Sequence, residues 1–161
     1  LLFRQFGSDR VIVRFPGEPS YQYPNVEKGD LETVWIVSQH SGGVHTLFVE
    51  QKTVDFPVFF EQRKSAIESE DKTFLVSAES KEERIFDLLY RKDEKWVRER
   101  VLVSSERFYI LQSVSDTLNE EFHLQFLASF DLENRDQKRI LTWNQPVLYL
   151  DSTCSVYEIQ N

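Results

Sequence analysis

Two histidines flank a glycine pair in His40-Ser41-Gly42-Gly43-Val44-His45, a pattern that could bind a metal ion. If Gly42-Gly43 is the two-residue connection of a hairpin, Ser41 faces Val44 and His40 faces His45 on adjacent strands. Directly opposed Cβ atoms lie about 5 Å apart, so both imidazoles could reach one ion. A full site needs more ligands, and Glu50 or Asp30 supplies one only if the tertiary fold delivers it. The plainer alternative is two exposed histidines at a hairpin tip. Cys154 is the sole cysteine, so it cannot form an internal disulfide. A nucleophilic thiol needs a lowered pKa and a positioned base, and no histidine lies near it in sequence. A small buried or half-buried thiol is the alternative. Tyr21, Tyr23, Trp35 and Trp143 offer different chemistry. Interfaces favour Tyr and Trp, so these four could line a protein-docking surface; otherwise they cover the sheet.

The remaining polar groups point away from catalysis. His123 reads as a polar border residue on the flank of a helical stretch. The acidic groups Glu68/Glu70/Asp71 and Glu120/Glu121 lack the ordered oxygen spacing and glycine of a calcium loop, and read as solubilising. No Gly-rich phosphate loop, GxSxG elbow, CxxC or HExxH spacing occurs in the sequence, so no cofactor and no enzymatic reaction is expected. A formal charge of −8 argues against nucleic acid, which requires clustered cations to release counterions. Lys81-Glu82-Glu83-Arg84 and Arg98-Glu99-Arg100 interleave the two signs and read as solvated faces. No apolar run reaches the ~20 residues that span a bilayer. The chain starts at Leu1 and contains no Met, as expected of a trimmed or mature segment, which leaves open whether a signal or lipid anchor was removed.

A chain of 161 residues fits one domain, in which roughly 70% of the unfolded surface can be buried. Thirteen Phe and few Gly or Pro favour sheet over loop-rich architecture. The densest apolar pattern runs from Trp96 to Leu132. Val97, Glu99, Val101 and Val103 alternate with Trp96, Arg98, Arg100 and Leu102, which predicts a half-buried strand. Phe108 to Val114 is apolar on both faces, as a doubly covered central strand requires. Thr117 and Glu120 form a capping box for a helix over 117–130, whose stripe is Leu118, Phe122, Phe126, Leu127 and Phe130.

Earlier in the chain, Arg10 to Phe15 reads as a strand, preceded by a short strand or frayed entry at Leu1 to Phe6. Phe15-Pro16-Gly17-Glu18-Pro19 reads as a type II turn with Gly17 at positive φ. Tyr21 to Val26 is extended and Glu27 to Asp30 a loop. Thr33 to Gln39 and His45 to Gln51 make the hairpin. Phe56 to Glu68 is a helix with Pro57 in its first turn and the Arg63 stem counted on its apolar side. A meander follows: Thr73 to Ala78, Arg84 to Lys92, Trp96 to Val103 and Arg107 to Ser115. Asn134 to Lys138 is polar, and Arg139 to Trp143, Val147 to Leu150 and Ser155 to Ile159 are closing strands. The expectation is a single α+β domain over 1–161, with its core at about 10–132.

Val11-Ile12-Val13-Arg14-Phe15-Pro16-Gly17-Glu18-Pro19, Arg107-Phe108-Tyr109-Ile110-Leu111 and Phe126-Leu127-Ala128-Ser129-Phe130 together resemble the PsbP-like proteins. Bacterial members of that family open with a strand ending Phe-Pro-Gly-x-Pro. They close with an "rlY-x-L" strand and a helix ending Phe-Leu-x-Ser-Phe. The resemblance covers roughly Arg10 to Leu132. It implies an α/β/α sandwich with a central, mostly antiparallel sheet and two main helices. It also implies a non-catalytic accessory or docking role, as in an extrinsic subunit of the plant oxygen-evolving complex and a nuclear Ran-binding protein. A bacterial cell-envelope location, periplasmic or lipid-anchored, follows from the same resemblance. Neither anchor holds a binding residue to carry across, and fold analogy alone transfers no function. The expected partner is a protein. A carrier with an apolar-ligand pocket between sheet and helices is the alternative suggested by the Phe content, and a dimeric secretion chaperone is a third.

Overall fold

Alternating apolar residues in the middle of the chain build one wide antiparallel sheet, and the chain ends build a small one over it. The computed structural model describes residues 2–40, 42–69, 73–80, 85–117, 121–134, 148–150 and 156–158. In order, the elements are β1 (Leu2–Phe6), β2 (Asp9–Val13), β3 (Ser20–Gln22), a 3-10 turn (Val26–Lys28), β4 (Val34–His40) and β5 (Gly43–Gln51). Then come α1 (Phe56–Ser69), β6 (Thr73–Ser80), β7 (Ile85–Lys92), β8 (Lys95–Val103) and β9 (Arg107–Ser115). The last are α2 (Glu121–Ala128), β10 (Asp131–Asn134), β11 (Leu148–Leu150) and β12 (Val156–Glu158). Seven strands form the main sheet in the order β3-β4-β5-β9-β8-β7-β6, three form a second sheet as β1-β2-β10, and β11 pairs with β12. Every neighbouring pair is antiparallel. The chain is therefore α+β, a mostly antiparallel sheet protein with two helices.

The period-2 alternation sorts the strands into two cores. Phe108 and Ile110 of β9 cluster with Val97, Val101 and Val103 of β8, Phe86 and Leu88 of β7, and Phe56, Phe60 and Ile67 of α1. Tyr109 and Leu111 face the other way, clustering with Leu47 and Val49 of β5, Val11 and Val13 of β2, and Phe126, Leu127 and Phe130 at α2. Aromatic rings carry much of both cores. Phe59 stacks on Phe108 at 3.9 Å, and Phe60 lies 4.5 Å from Phe86, pairs that add about 0.5–1.5 kcal/mol each beyond the area buried.

Several expectations change. Residues 98–100 are not a solvated face: Arg98, Glu99 and Arg100 are 3%, 1% and 2% exposed. Strand β8 lies between β7 and β9 with both sides covered, so its charges are matched inside the protein. The hairpin register pairs Gln39 with Val44 and His40 with Gly43, so the reversal falls one residue earlier than Gly42-Gly43. Gly42 there takes φ 78°, a left-handed conformation that glycine adopts without strain. Gly17 does not have positive φ. Its requirement is space, because a Cβ would stand 2.6 Å from the Gln39 carbonyl oxygen. Only Ser20–Gln22 of the predicted 21–26 run is a strand. Residues 131–134, of which the sequence marks only Asn134, as part of a polar stretch, form β10 and pair with β2. Among the described residues the second helix spans Glu121–Ala128. Glu120 of its proposed capping box and Leu118 of its proposed stripe lie outside them, as do 139–143 and the Lys81 to Arg84 run.

Candidate functional site

Glu99 is the most strongly engaged charge on the face covered by α1. Its neighbours along β8, Val97 and Val101, are core residues, so a carboxylate there must be compensated. Arg63 of α1 reaches down as a fork, Nε and Nη2 donating to the two carboxylate oxygens at 3.0 and 2.6 Å. The Tyr90 hydroxyl and Gln112 Nε2 each donate to Oε1 at 2.8 Å. Burial pushes the Glu99 carboxyl up, but the Arg63 charge and these donors outweigh it and hold the group below its ordinary range. Burial first, then the Glu99 charge, raises the Tyr90 phenol. Glu99 is thus an anion near neutral pH, with three donors on Oε1 and one on Oε2. It pins α1 to the sheet and has no proton to exchange near neutral pH.

On the opposite face, Arg100 donates from Nε and Nη2 to both oxygens of Asp87, directly across the β7–β8 pair, at 2.9 and 3.0 Å. One row further along, Ser38, His45, Ser113 and Arg98 follow one another across β4, β5, β9 and β8, and all four are buried. A third cluster ties the small sheet to the large one. Asp9 Oδ2 accepts from the Ser104 and Tyr109 hydroxyls, each at 2.6 Å, in the range of charge-assisted bonds. Burial, then the bond to Asp9, raises the Tyr109 phenol, which stays a donor. Arg107 closes this end by donating to the Phe6 carbonyl at 3.2 Å. Gly7 at φ 59° makes room for it, since a Cβ would stand 2.5 Å from Arg107 Nη1.

The two histidines are not directly opposed. His45 faces Ser38 in the register, is fully buried, and sets its ring edge-on to Phe126 at 5.2 Å. His40 is exposed at the end of β4. Among the described residues no three His, Cys, Asp or Glu side chains gather as a metal-ligand set. Cys154 and Trp143 lie outside the described residues. Nor do the docking candidates share one surface. Tyr21 pairs with Ile36 whereas Trp35 pairs with Gln22, which puts Tyr21 and Trp35 on opposite faces. Tyr21 sits under the Arg4 guanidinium at 4.9 Å, and the Tyr23 hydroxyl accepts from Arg4 at 3.3 Å. Both tyrosines therefore belong to the junction with β1.

Trp35 stands on the α1 side of the sheet, edge-on to Phe48 at 5.7 Å. Around it Val37, Val44, Phe48 and Val114 are all half-buried. The ring and ion-pair contacts of α1 reach Phe86, Phe108 and Glu99, on β7, β9 and β8. The β4–β5 half of the same face is the less covered one. The interior beneath α1 is filled by Phe56, Phe60 and Ile67. An open depression of about 630 Å³ lies on the outer side of α1, lined by Pro57, Val58, Glu61, Gln62 and Ser65. Among the described residues no helix is long and apolar enough to cross a membrane. No protein-family model, curated protein or solved structure matches this chain.

Proposed function

We propose that this chain is a non-catalytic docking domain that binds a protein partner through the half-open sheet face carrying Trp35. The observation behind it is the apolar strip of Trp35, Val37, Val44, Phe48 and Val114, half-buried beside the half-sheet on which α1 packs, with Phe48 and Val114 resting against that core. Large apolar patches left on a folded surface mark interaction sites. The polar clusters support the non-catalytic part, because the Glu99, Asp87 and Asp9 carboxylates each hold the structure together across elements. The α/β/α sandwich belongs to the same proposal. It is supported by one core cluster that includes α1 and another that includes α2. The PsbP-like resemblance and the envelope location it implies stand with it as proposals.

Trp35→Ala tests the reading. Affinity capture with the variant is expected to lose a partner that the wild-type chain retains, while the melting temperature falls by no more than about 4 °C, the equivalent of roughly 1 kcal/mol in a domain of this size. An unchanged set of captured proteins together with a large loss of stability would assign Trp35 to packing instead.

A further inference from the structure

We propose that the occupant of this strip is an amphipathic helix of the partner, basic toward one end, lying beside α1 on the sheet. The inference rests on the docking reading above and specifies its partner. Strands lie about 4.8 Å apart, so seven span about 29 Å, and a helix about 10 Å across covers only part of that width. Helix α1 spans β7 to β9 through Phe56, Phe59, Phe60 and Arg63. Among the described residues, what α1 leaves is the stretch from β3 to β5, the width of one more helix. Adding a strand instead is disfavoured. Edge strand β3 has three residues and is closed in by Pro19 and Pro24, and prolines blunt such edges.

The covered half shows what a cover looks like here: an aromatic helical stripe with one cation brought down onto a sheet carboxylate, Arg63 onto Glu99. The corresponding carboxylate of the open half is Glu50. It pairs with Phe108 and so faces the same side as the Trp35 strip. Glu32, at the same end, serves the other face: Gln51 donates to it and its carboxylate lies 4.0 Å from the Arg107 guanidinium, so Glu50 is the carboxylate on the Trp35 side. At the opposite end of β4 the exposed residue of this face is the uncharged Gln39. Arg63 is already engaged as a fork by Glu99. A partner helix therefore matches the surface when its stripe covers Trp35, Val37 and Phe48 and its Lys or Arg end lies over Glu50.

The test uses the full 161-residue chain with Trp96→Phe and Trp143→Phe, so that Trp35 is the sole indole. The probes are two amphipathic peptides of identical pattern, one Leu/Lys and one Leu/Glu, each of about 18 residues so that a helix can form. The Leu/Lys peptide is expected to blue-shift Trp35 emission saturably and the Leu/Glu peptide to leave it unchanged. Glu50→Gln, which leaves the core untouched, is expected to weaken Leu/Lys binding about two- to fivefold, and Val37→Lys to abolish it with the circular dichroism unchanged. Equal binding of both peptides, binding by neither, or indifference to Val37→Lys overturns the helix assignment. So does sedimentation of the wild-type chain as a dimer that Val37→Lys dissociates, which would give the strip to a second copy. If Trp35→Ala loses the captured partner while both peptides bind alike, only the helix assignment fails. If Trp35→Ala leaves capture unchanged, the docking reading itself fails.

Discussion

Arg63→Met is expected to destabilise the protein by about 3–5 kcal/mol near neutral pH, because it strands a buried carboxylate without its cation. Glu99 is fully buried on its side chain, and the bonds it would lose are the 2.6 and 3.0 Å contacts to Arg63. In a domain whose whole stability is about 5–15 kcal/mol, that loss is a large share. The pH dependence follows from the sign of the shift. The Glu99 carboxyl is held below its ordinary range, since Arg63 together with the Gln112 and Tyr90 donors outweighs the upward push of burial. A depressed folded-state pKa contributes stability above the unfolded value, about 4.3. That contribution is lost as the pH falls through the folded value. The gap between wild type and Arg63→Met should thus be widest near pH 7 and should close in acid, where a neutral Glu99 needs no cation. Urea titrations at both pH values measure it. Arg63→Met combined with Glu99→Leu should regain most of the loss, because no unpaired charge remains inside. A single-variant cost under about 1 kcal/mol, the range of an exposed ion pair, would show that α1 is not pinned in this way.

Asp87→Ala is the second large effect, again about 3–5 kcal/mol. Arg100 has a side chain only 3% exposed, and both of its bonds to Asp87 run straight across the β7–β8 pair. Removing the carboxylate leaves that guanidinium facing the core side of the sheet without its fork. Asp87→Asn keeps one acceptor and should cost less than Asp87→Ala. The denaturation midpoints of the two variants rank them, and equal midpoints would contradict this ranking, because the Asn acceptor would then replace nothing of what the carboxylate supplies.

The Arg63–Glu99 pair could be glimpsed in the sequence as two anomalies, though not joined. Glu99 shares its strand face with Val97, Val101 and Val103, and Arg63 occupies a place on the apolar side of its helix. Each residue breaks its own pattern, and the two exceptions answer one another across 36 positions. Alternation and helical spacing are local signals, so they mark that a charge is out of place but not what compensates it. Reading Arg98-Glu99-Arg100 as solvated failed for the same reason. Composition cannot tell an outer strand from one lying between β7 and β9. The central strands and α1 were legible because their apolar periods are long. β10 was not, because four residues carry too short a pattern and its partner β2 lies at the other end of the chain. The docking candidates were legible as residue types only. A one-residue change of parity between Tyr21 and Trp35 sends them to opposite faces, and the hairpin register, set by turn geometry, likewise separates His40 from His45.

The central claim, that the open half of the main sheet is the working surface, is tested most directly by placing one charge on each of two apolar surfaces. Val37 lies on the half-open sheet face and Val58, 48% exposed, on the outer side of α1. Affinity capture with Val37→Lys is expected to lose the partner that wild type retains, and capture with Val58→Lys to keep it. Loss with Val58→Lys and retention with Val37→Lys would contradict the account and move the partner to the depression on the outer side of α1.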